Sequence, residues 1–344
     1  MITIKDIARV AGVSHTTVSR ALNGSPLIKP ETRDKIEKIA ADMNYVPNVS
    51  AKSLVMKRTY TIGLFFSSID QGTSASFLVD AIKGIHHALD ENYSLTVHGI
   101  DGIRHLEGIS PHRFDGILVM SQSDADNAFI YHVKKAGIPL VVLNRHLDDP
   151  GMANVVANDR EGVREAIDYA IGQGHRRLAI MEGKAGFRSA AERKQGFLES
   201  LLAHGLSLPA EYQAAGDYSI DSGFRRMNAL LDLPEPPTLV FCANDDMAIG
   251  AMNACYARGA SVPDQVSLIG FDDIVFASYT NPALTTIRKP VAEISELGTR
   301  KLIELMQPVG PGSSQEDEAL PTAASSETLF VPTTLMIRQS VAAI

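Results

Sequence analysis

The strongest constraint on the fold is an alternation, repeated from about residue 60 onward, between short apolar runs and longer segments of helical period. Polar residues rarely interrupt the apolar runs, which is typical of strands covered on both faces in a parallel sheet. The repeat therefore predicts a doubly wound α/β architecture, and its length favours two sheets over one. The predicted strands are 60–66, 95–98, 116–120, 139–143, 178–181, 239–242 and 266–271, and the predicted helices are 77–89, 161–171, 191–202, 246–257 and 291–306.

The first 58 residues carry a net charge opposite in sign to that of the rest of the chain. The 344 residues include 32 basic and 40 acidic side chains, which gives a formal charge of −8. Ten of the basic and five of the acidic residues lie in the first 58, a net charge of +5. The remainder then holds 22 basic and 35 acidic residues, a net charge of −13. This asymmetry indicates a small nucleic-acid-binding module joined to a large acidic body.

The basic segment has the apolar pattern of three short helices, at 4–10, 15–22 and 31–43. A turn at Gly12 joins the first two, and Ser14 is a suitable N-cap for the second. Two short helices about such a turn predict a helix-turn-helix, whose second helix presents its N-terminal side chains to base edges in the major groove. The outward-facing residues of that helix are His15, Thr16, Thr17 and Arg20.

Other classes of protein lack support in the sequence. No apolar run approaches the length of a membrane span, and the N-terminus has no signal-peptide pattern, so we expect a cytoplasmic protein that does not contact membranes. Cys242 and Cys255 belong to no metal-binding or redox motif and are predicted to be buried, reduced thiols. The motifs of phosphate-binding loops, nucleophile elbows and zinc proteases are missing, which predicts a non-enzymatic protein without a metal or cofactor.

Short motifs follow one another in a fixed order along nearly the whole chain. In the basic segment they are TIKDIA at 3–8, AGVS at 11–14, TVSRALN at 17–23, YVPN at 45–48 and AKSL at 51–54. In the body they include TIGL at 61–64, GHRR at 174–177, CANDDMAIG at 242–250, IGFDDI at 269–274 and PALTTI at 282–287. This series closely resembles the LacI/GalR family of bacterial transcriptional regulators.

The resemblance implies an N-terminal all-α helix-turn-helix headpiece with a hinge helix, followed by a two-lobed α/β effector domain similar to periplasmic sugar-binding proteins. The implied headpiece is 1–46, the hinge 47–58 and the effector-binding and dimerisation domain 59–344. Lobe 1 is expected at 59–157 and 289–307, and lobe 2 at 158–288 and 328–340. Residues 308–327 have a Pro, Gly, Ser and acidic composition without period, which predicts a flexible excursion.

The family's DNA contacts map onto both the headpiece and the hinge. Arg20 suits a bidentate contact with guanine. The nine residues 48–56 are too few for a stable isolated helix, so we expect them to fold only on DNA, where Leu54 would enter the minor groove and Lys52 would approach phosphate. The full set of predicted DNA-binding residues is Thr3, Ser14, His15, Thr16, Thr17, Arg20, Asn23, Lys52 and Leu54.

The family's effector site, between the two lobes, also maps onto this sequence. Hydroxyl groups of a polyol could bond to charged and amide side chains, and an aromatic ring could stack on an apolar sugar face. Simpler roles remain open for Phe77 in the core, Asn244 as a helix cap and Asp272 in its own turn. The predicted effector-binding residues are Phe77, Asn144, Arg145, Arg193, Tyr218, Asn244 and Asp272.

Together these features predict a transcriptional repressor of a carbohydrate-utilisation operon that binds a palindromic operator as a homodimer. A sugar or sugar derivative would switch its DNA affinity, and a purine or protein co-effector is the alternative. The chain has no heptad tail, which favours a dimer over a tetramer. It departs from the family pattern in the segment 67–77, in the order Asn158-Asp159 and in having no Trp, so the sugar is not defined.

Overall fold

A computed structural model describes residues 2–22, 25–45, 58–307 and 328–344. The chain divides into two compact units, Met1–Thr59 and Tyr60–Ile344. The second unit therefore begins at Tyr60, one residue after the predicted start of the effector-binding and dimerisation domain. Asn23, most of the hinge with Lys52 and Leu54, and the predicted excursion at 308–327 lie outside the described residues.

The first unit contains three short helices around a small apolar core. They are α1 (Ile4–Ala11), α2 (His15–Leu22) and α3 (Pro30–Asp42). Gly12 ends α1 with a φ of 72°, a left-handed conformation that suits glycine, and the Ser14 hydroxyl caps α2 by accepting from the Thr17 N–H at 3.0 Å. The fully buried side chains at the centre are Ile7, Val18, Ala21 and Ile36. The predicted helix-turn-helix is confirmed.

The second unit alternates strands and helices as the sequence predicts. The first half comprises β1 (Thr61–Phe66), α4 (Ala75–Ala88), β2 (Ser94–Gly99), β3 (Gly116–Met120), α5 (Asn127–Lys135), β4 (Leu140–Leu143), β5 (Ala153–Ala157), α6 (Asp159–Gly172), β6 (Leu178–Glu182) and α7 (Arg188–Ala203). The second half comprises β7 (Gln213–Ala215), α8 (Ile220–Leu231), β8 (Leu239–Cys242), α9 (Asp245–Arg258), β9 (Ser267–Asp272), β10 (Thr285–Arg288), α10 (Val291–Met306), β11 (Thr328–Val331) and β12 (Thr334–Met336). Short 3-10 turns lie at Ile100–Gly102, Leu106–Gly108, Asp124–Asp126, Ala210–Tyr212 and Val275–Ser278.

The described residues form two six-stranded sheets, one in each lobe. The first has the strand order β11-β5-β4-β3-β1-β2 and is parallel throughout. The second has the order β12-β10-β9-β8-β6-β7, in which β12 alone of these strands runs antiparallel to its neighbour. Apolar clusters cover both faces of each sheet. The predicted doubly wound, two-lobed α/β fold is confirmed.

The chain passes between the lobes after β5, after β10 and after β11. Helix α10 packs on the first lobe. This is the lobe to which the sequence assigns the segment 289–307. The prediction that 328–340 belongs wholly to lobe 2 is wrong. Residues Thr328–Val331 extend the edge of the first sheet beside β5, and only the chain from β12 onward joins the second sheet. Pairing with β11 satisfies the backbone hydrogen-bonding groups on the outer edge of β5.

Three further findings concern the cysteines, possible membrane spans and possible metal sites. Cys242 and Cys255 are buried and unbridged, as predicted. Among the residues with described positions, no helix is long and apolar enough to span a bilayer. The same residues contain no group of three His, Cys, Asp or Glu side chains arranged to hold a metal ion.

Candidate functional site

The outer face of α2 presents polar side chains to solvent. His15, Thr16 and Arg20 are exposed, while Val18 and Ala21 on the opposite face are buried. The helix-turn-helix therefore leaves free the side chains that could meet base edges. The structure brings these predicted residues to one short surface of the headpiece.

Two other predicted DNA-binding residues also hold the headpiece helices in place. The Thr3 N–H donates to the Asp6 carboxylate at 3.0 Å, which satisfies one free backbone donor at the start of α1. The Ser14 hydroxyl, besides capping α2, lies 2.9 Å from the hydroxyl of Thr17. These residues fix the start of each helix, and their remaining hydrogen-bonding capacity faces solvent.

A small cavity lies between the carboxyl ends of the two sheets, where open α/β sheets place their ligands. We call it the inner cavity. Its volume is about 30 Å³, so it holds few waters and must widen to admit a larger molecule. Six predicted residues line it, namely Phe77, Asn144, Arg193, Tyr218, Asn244 and Asp272.

Arg193 lies at the centre of a buried cluster of charges beside the inner cavity. Its Nε donates to Asp159 Oδ2 at 3.0 Å, its Nη1 donates to the carbonyl of Ala243, and its Nη2 lies 3.6 Å from Asp272 Oδ1. The guanidinium carbon stacks 3.6 Å above the ring centre of Phe271. These contacts hold the side chain in one orientation, with its edge toward the cavity.

Lys289 is a second buried cation in this cluster and was not predicted. It follows β10, where the chain passes between the lobes, and its Nζ lies 3.2 Å from Asp159. Burial lowers the pKa of Lys289, although Asp159 opposes that shift. Lys289 lines the inner cavity, so the cavity wall carries two cations and one acid, Asp272.

The acids of the cluster favour the charged forms of these cations. Burial disfavours the guanidinium of Arg193, but Asp159 and Asp272 outweigh it and raise the pKa of Arg193. Burial raises the pKa of Asp272 to about 6, while Arg193 and Lys289 act in the opposite direction. The Asp272 carboxyl therefore changes charge just below neutral pH.

Asn244, Tyr218 and Phe77 each combine a structural contact with a place in the cavity wall. The Asn244 side chain caps α9 by accepting from the Met247 N–H at 3.0 Å, and its amide donates to the Tyr218 carbonyl at 3.0 Å. The Tyr218 hydroxyl lies 3.3 Å from that of Ser189. Phe77 contacts Phe66 edge to face, with ring centres 6.2 Å apart. Asn244 therefore caps a helix and Phe77 packs on another aromatic ring, and both residues also line the cavity.

Arg145 does not line the inner cavity, contrary to its place among the predicted effector-binding residues. The side chain is buried and donates to Ser121 at 2.8 Å, to Asp124 at 2.7 Å and to Asn127 at 2.6 Å. These bonds turn it away from its neighbour Asn144 and into the loop after β3. It contributes instead to the wall of a second, larger cavity.

That second cavity, which we call the side chamber, lies in the same cleft closer to the segments that cross between lobes. Its volume is about 620 Å³, within the range of small-molecule sites. Asn144 and Ser189 line both cavities and separate them. No local sequence pattern predicts the side chamber, because its walls come from five separate segments of the chain.

The two lobes touch at the mouth of the cleft through a set of contacts that we call the mouth contact. Arg188 of lobe 2 donates from its backbone N–H to the Gln122 carbonyl at 2.9 Å and from its Nη2 to Asp124 Oδ2 at 3.0 Å. Ser123 and Phe187 form an isolated antiparallel bridge beside this pair. Arg188 holds the pKa of Asp124 below its usual value. The cleft is therefore closed over the inner cavity.

Models of known protein families match segments in both units of the chain. A model of bacterial regulatory proteins of the lacI family matches residues 3–48, and a periplasmic binding protein-like domain model matches residues 167–341. The probable HTH-type transcriptional repressor ExuR of Bacillus subtilis (strain 168) is 52% identical over 341 residues, which cover 99% of this chain and 98% of that protein.

Two solved structures are similar over essentially the full length. A Lac repressor dimer bound to operator and the anti-inducer ONPF is 26% identical, with a TM-score of 0.81 and coverage of 99% of each chain. A complex of the transcriptional regulator CelR with cellobiose is 29% identical, with a TM-score of 0.71 and coverage of 99% of this chain and 100% of that one.

Proposed function

The chain belongs to the lacI family of bacterial regulatory proteins, and on that premise we propose that it represses transcription by binding operator DNA as a dimer. A small polyhydroxylated molecule, a sugar or sugar derivative, occupies the inner cavity and changes its affinity for DNA. DNA-binding transcriptional regulation is the character of the family. The chemistry of the effector and the residues that hold it are our proposal.

The observation that carries the effector proposal is the cluster formed by Arg193, Lys289, Asp159 and Asp272 at the inner cavity. Charged groups are rarely buried in water-free protein unless they are paired or meet a ligand. Here the Asp272 carboxylate has capacity to accept from hydroxyl groups, and the Lys289 ammonium has donors beyond those directed at Asp159. Tyr218 and Phe77 add ring faces, so the lining suits a polyol.

A closed cleft gives the effector a way to act on DNA. The inner cavity is too small for a sugar, so binding must part the lobes or stabilise a wider arrangement of them. In a dimer, such a rotation changes the spacing of the two hinges, whose residues Lys52 and Leu54 we propose to contact DNA. Binding of the effector and of DNA then influence each other reciprocally.

We assign the protein no catalytic step, and we propose that it acts in the cytoplasm, where the chromosome lies. The titratable residues at the inner cavity pair with one another, and we assign none of them as a nucleophile or proton carrier. We also propose that the DNA-contacting set comprises His15, Thr16, Thr17 and Arg20, with Thr3, Ser14 and Asn23 supporting phosphate contacts.

The experiment that tests the function has two parts. First, DNA bound by the full-length protein is selected from a random duplex pool, and we expect a palindromic sequence to emerge. Second, a panel of sugars is added to the complex on that DNA, and we expect at least one to change the apparent affinity. Enrichment of no sequence would contradict DNA regulation, and enrichment without any response to sugars would contradict the effector class alone.

A further inference from the structure

We propose that Asp159 and Lys289 form a clamp between two of the three segments that connect the lobes, and that this clamp transmits effector binding to the angle between the lobes. Lys289 is thus a positioning residue for the switch. We thereby name the contact through which the inner cavity acts on the lobes, which the proposed function leaves open. The transmission rests on that function, whereas the clamp is a feature of the ligand-free protein.

Asp159 and Lys289 lie on different crossings between the lobes. Asp159 is the first residue of α6, directly after the crossing from β5, and Lys289 follows β10 at the second crossing. The Lys289 Nζ lies 3.2 Å from each carboxylate oxygen of Asp159, and the two side chains are 2% and 5% exposed. Water screens such a buried ion pair little, and losing one partner is costly. The pair therefore holds together two crossings that are 130 residues apart in the chain.

The second crossing leads into lobe 1 through a restricted turn. Pro290 follows Lys289, and the Val291 N–H donates to the Lys289 carbonyl at 2.8 Å. Because proline restricts its own φ, Lys289 can move little without moving the start of α10. The first turn of α10 lies directly against α4, where a Cβ at Gly84 would collide with the carbonyl of Ala292. A shift of Lys289 is therefore passed to α10 and α4, which pack on the same face of the first sheet.

Asp159 also belongs to the charged cluster of the inner cavity. Its Oδ2 accepts from Arg193 Nε at 3.0 Å, and Arg193 Nη2 lies 3.6 Å from Asp272 Oδ1. Arg193, Lys289 and Asp272 line the cavity. Two cations thus share one carboxylate, and a molecule that hydrogen-bonds to either cation or to Asp272 changes how strongly Asp159 holds Lys289. A ligand shifts a conformational equilibrium only through such a difference in contacts between the two states.

The first and third crossings are joined by a different kind of contact. The Asn158 N–H donates to the Val331 carbonyl at 3.0 Å, and the Thr333 hydroxyl donates to the Asn158 carbonyl at 3.4 Å. These bonds use backbone groups of residues that do not line the inner cavity. Of these three contacts between crossings, the ion pair of Asp159 and Lys289 is therefore the one that a molecule in the cavity can alter.

The order Asn158-Asp159, which departs from the family pattern, supplies this contact. The family pattern has Asp before Asn, which would place an amide at position 159. An amide there could not balance the charge of Lys289, whose burial lowers its pKa while Asp159 opposes that shift. In this chain Asn158 is the residue that precedes α6, and the carboxylate that follows it turns into the cluster. The clamp therefore gives a physical reason for this departure.

Hydrogen exchange of backbone amides in the ligand-free, full-length protein tests the clamp. Peptides covering 155–162 and 285–293 report on the two crossings, and peptides from the strands of both lobes report on the fold as a whole. Lys289→Met and Asp159→Asn each remove the ion pair. Lys194→Met is the matched control, because Lys194 pairs with Glu182 at 2.8 Å within lobe 2 and lines neither cavity.

We expect exchange in both single variants to rise about tenfold more at the crossings than in the strands, and Lys194→Met to show no such difference. The double variant should exchange no faster at the crossings than the faster single variant, because both changes remove one contact. Lys289→Arg keeps the charge and should restore part of the protection. A rise spread evenly over both lobes, or none at the crossings, would overturn the clamp. If Lys289→Met does not fold, Lys289→Gln removes the charge with a smaller change in polarity.

The transmission is tested on the selected operator with a sugar of the panel that changes the operator affinity of the parent. The sugar is used at a concentration that saturates each variant in a thermal-shift titration. The change in operator affinity should shrink to about twofold or less in Lys289→Met and stay as in the parent in Lys194→Met. A full response in Lys289→Met, or complete loss of sugar binding in that variant, would overturn the transmission and leave the function standing. A parent that responds to no sugar would overturn the effector class and the transmission with it, and the exchange result would still decide the clamp.

Discussion

The headpiece and the body use polar residues in opposite ways. In the headpiece, His15, Thr16 and Arg20 lie within two turns of one helix and point into solvent. In the body, Arg193 and Lys289 come from segments nearly 100 residues apart and are buried against carboxylates. A single helix is enough to form the exposed polar surface of the headpiece, whereas residues of both lobes are needed to form the site in the body.

This difference predicts how each region responds to substitution. Exposed charges contribute little to folding, so the headpiece can change its binding residues without losing its fold. A buried charge that loses its partner is strongly destabilising, so residues of the inner cavity affect stability and binding together. Four substitutions test this contrast, in order of decreasing expected effect.

Replacing Arg193 by Met should produce the largest effect. Asp159 and Asp272 would then face only Lys289, and loss of one partner from a buried ion network costs on the order of 3–5 kcal/mol. Urea denaturation measures this, with Arg225→Met as the control because Arg225 forms an exposed pair with Asp221 on α8. Equal changes in the two variants would contradict the assignment of a buried, coupled cluster.

The Asp272→Asn variant should change how stability depends on pH. In the parent protein the folded pKa of about 6 lies above the unfolded value of 3.8, so the protonated carboxyl stabilises the fold at low pH. That contribution is complete below the unfolded pKa and is lost as pH rises through 6, a difference of about 3 kcal/mol. The variant should therefore gain stability relative to the parent between pH 4 and pH 7. A difference in the free energy of unfolding between variant and parent that stays constant from pH 4 to pH 7 would refute the raised pKa of Asp272.

Replacing Arg20 by Ala should weaken binding to the selected operator by about 1–3 kcal/mol, the value of a bidentate base contact. Binding to random DNA should fall much less, and the unfolding midpoint should not move because the side chain is exposed. Gel-shift titration on both DNAs measures the effect. Lys38→Ala on α3 is the matched exposed cation, and the same loss of specificity in that variant would argue against a special role for α2.

Replacing Arg188 by Gln should have the smallest effect on stability, because Asp124 keeps its ion pair with Arg145. Asp124 and Arg188 are both more than half exposed, so solvent screens their attraction. We expect unchanged unfolding but a wider cleft, visible in small-angle X-ray scattering as a larger radius of gyration of the body. If the dimensions stay the same while stability falls, the mouth contact supports the fold rather than closure.

The local elements of the fold follow closely from the sequence. Helix α2 begins and ends where predicted, as do β3, β8 and α10, because each has an unbroken apolar pattern with clear end signals. Strand β5 was missed because Asn154 interrupts it. The structure buries that amide, which accepts from the Leu147 N–H at 3.1 Å and donates to the Met152 carbonyl at 2.8 Å. Helices α5 and α8 and the short strands β7, β10, β11 and β12 were also not predicted.

The candidate site was predictable only in part. Family motifs located Arg193, Asn244 and Asp272, all of which reach the inner cavity. They also suggested Arg145, which three neighbouring acceptors turn toward the loop after β3. Lys289 was missed because a single Lys before a Pro looks like a solvent-exposed loop residue, and only the crossing between lobes places it beside Asp159.

Sequence patterns are sufficient to predict the helix-turn-helix, the α/β repeat and the division into a basic head and an acidic body. These depend on periodicity, capping and charge over a few neighbouring residues, so they can be read without knowing what lies opposite in space. The partners of Arg193, the direction of Arg145, the position of β11 and the presence of the side chamber are visible only in the folded structure. Each of these depends on which distant segments the two sheets bring together, and a cleft between lobes is formed by surfaces that no local pattern describes.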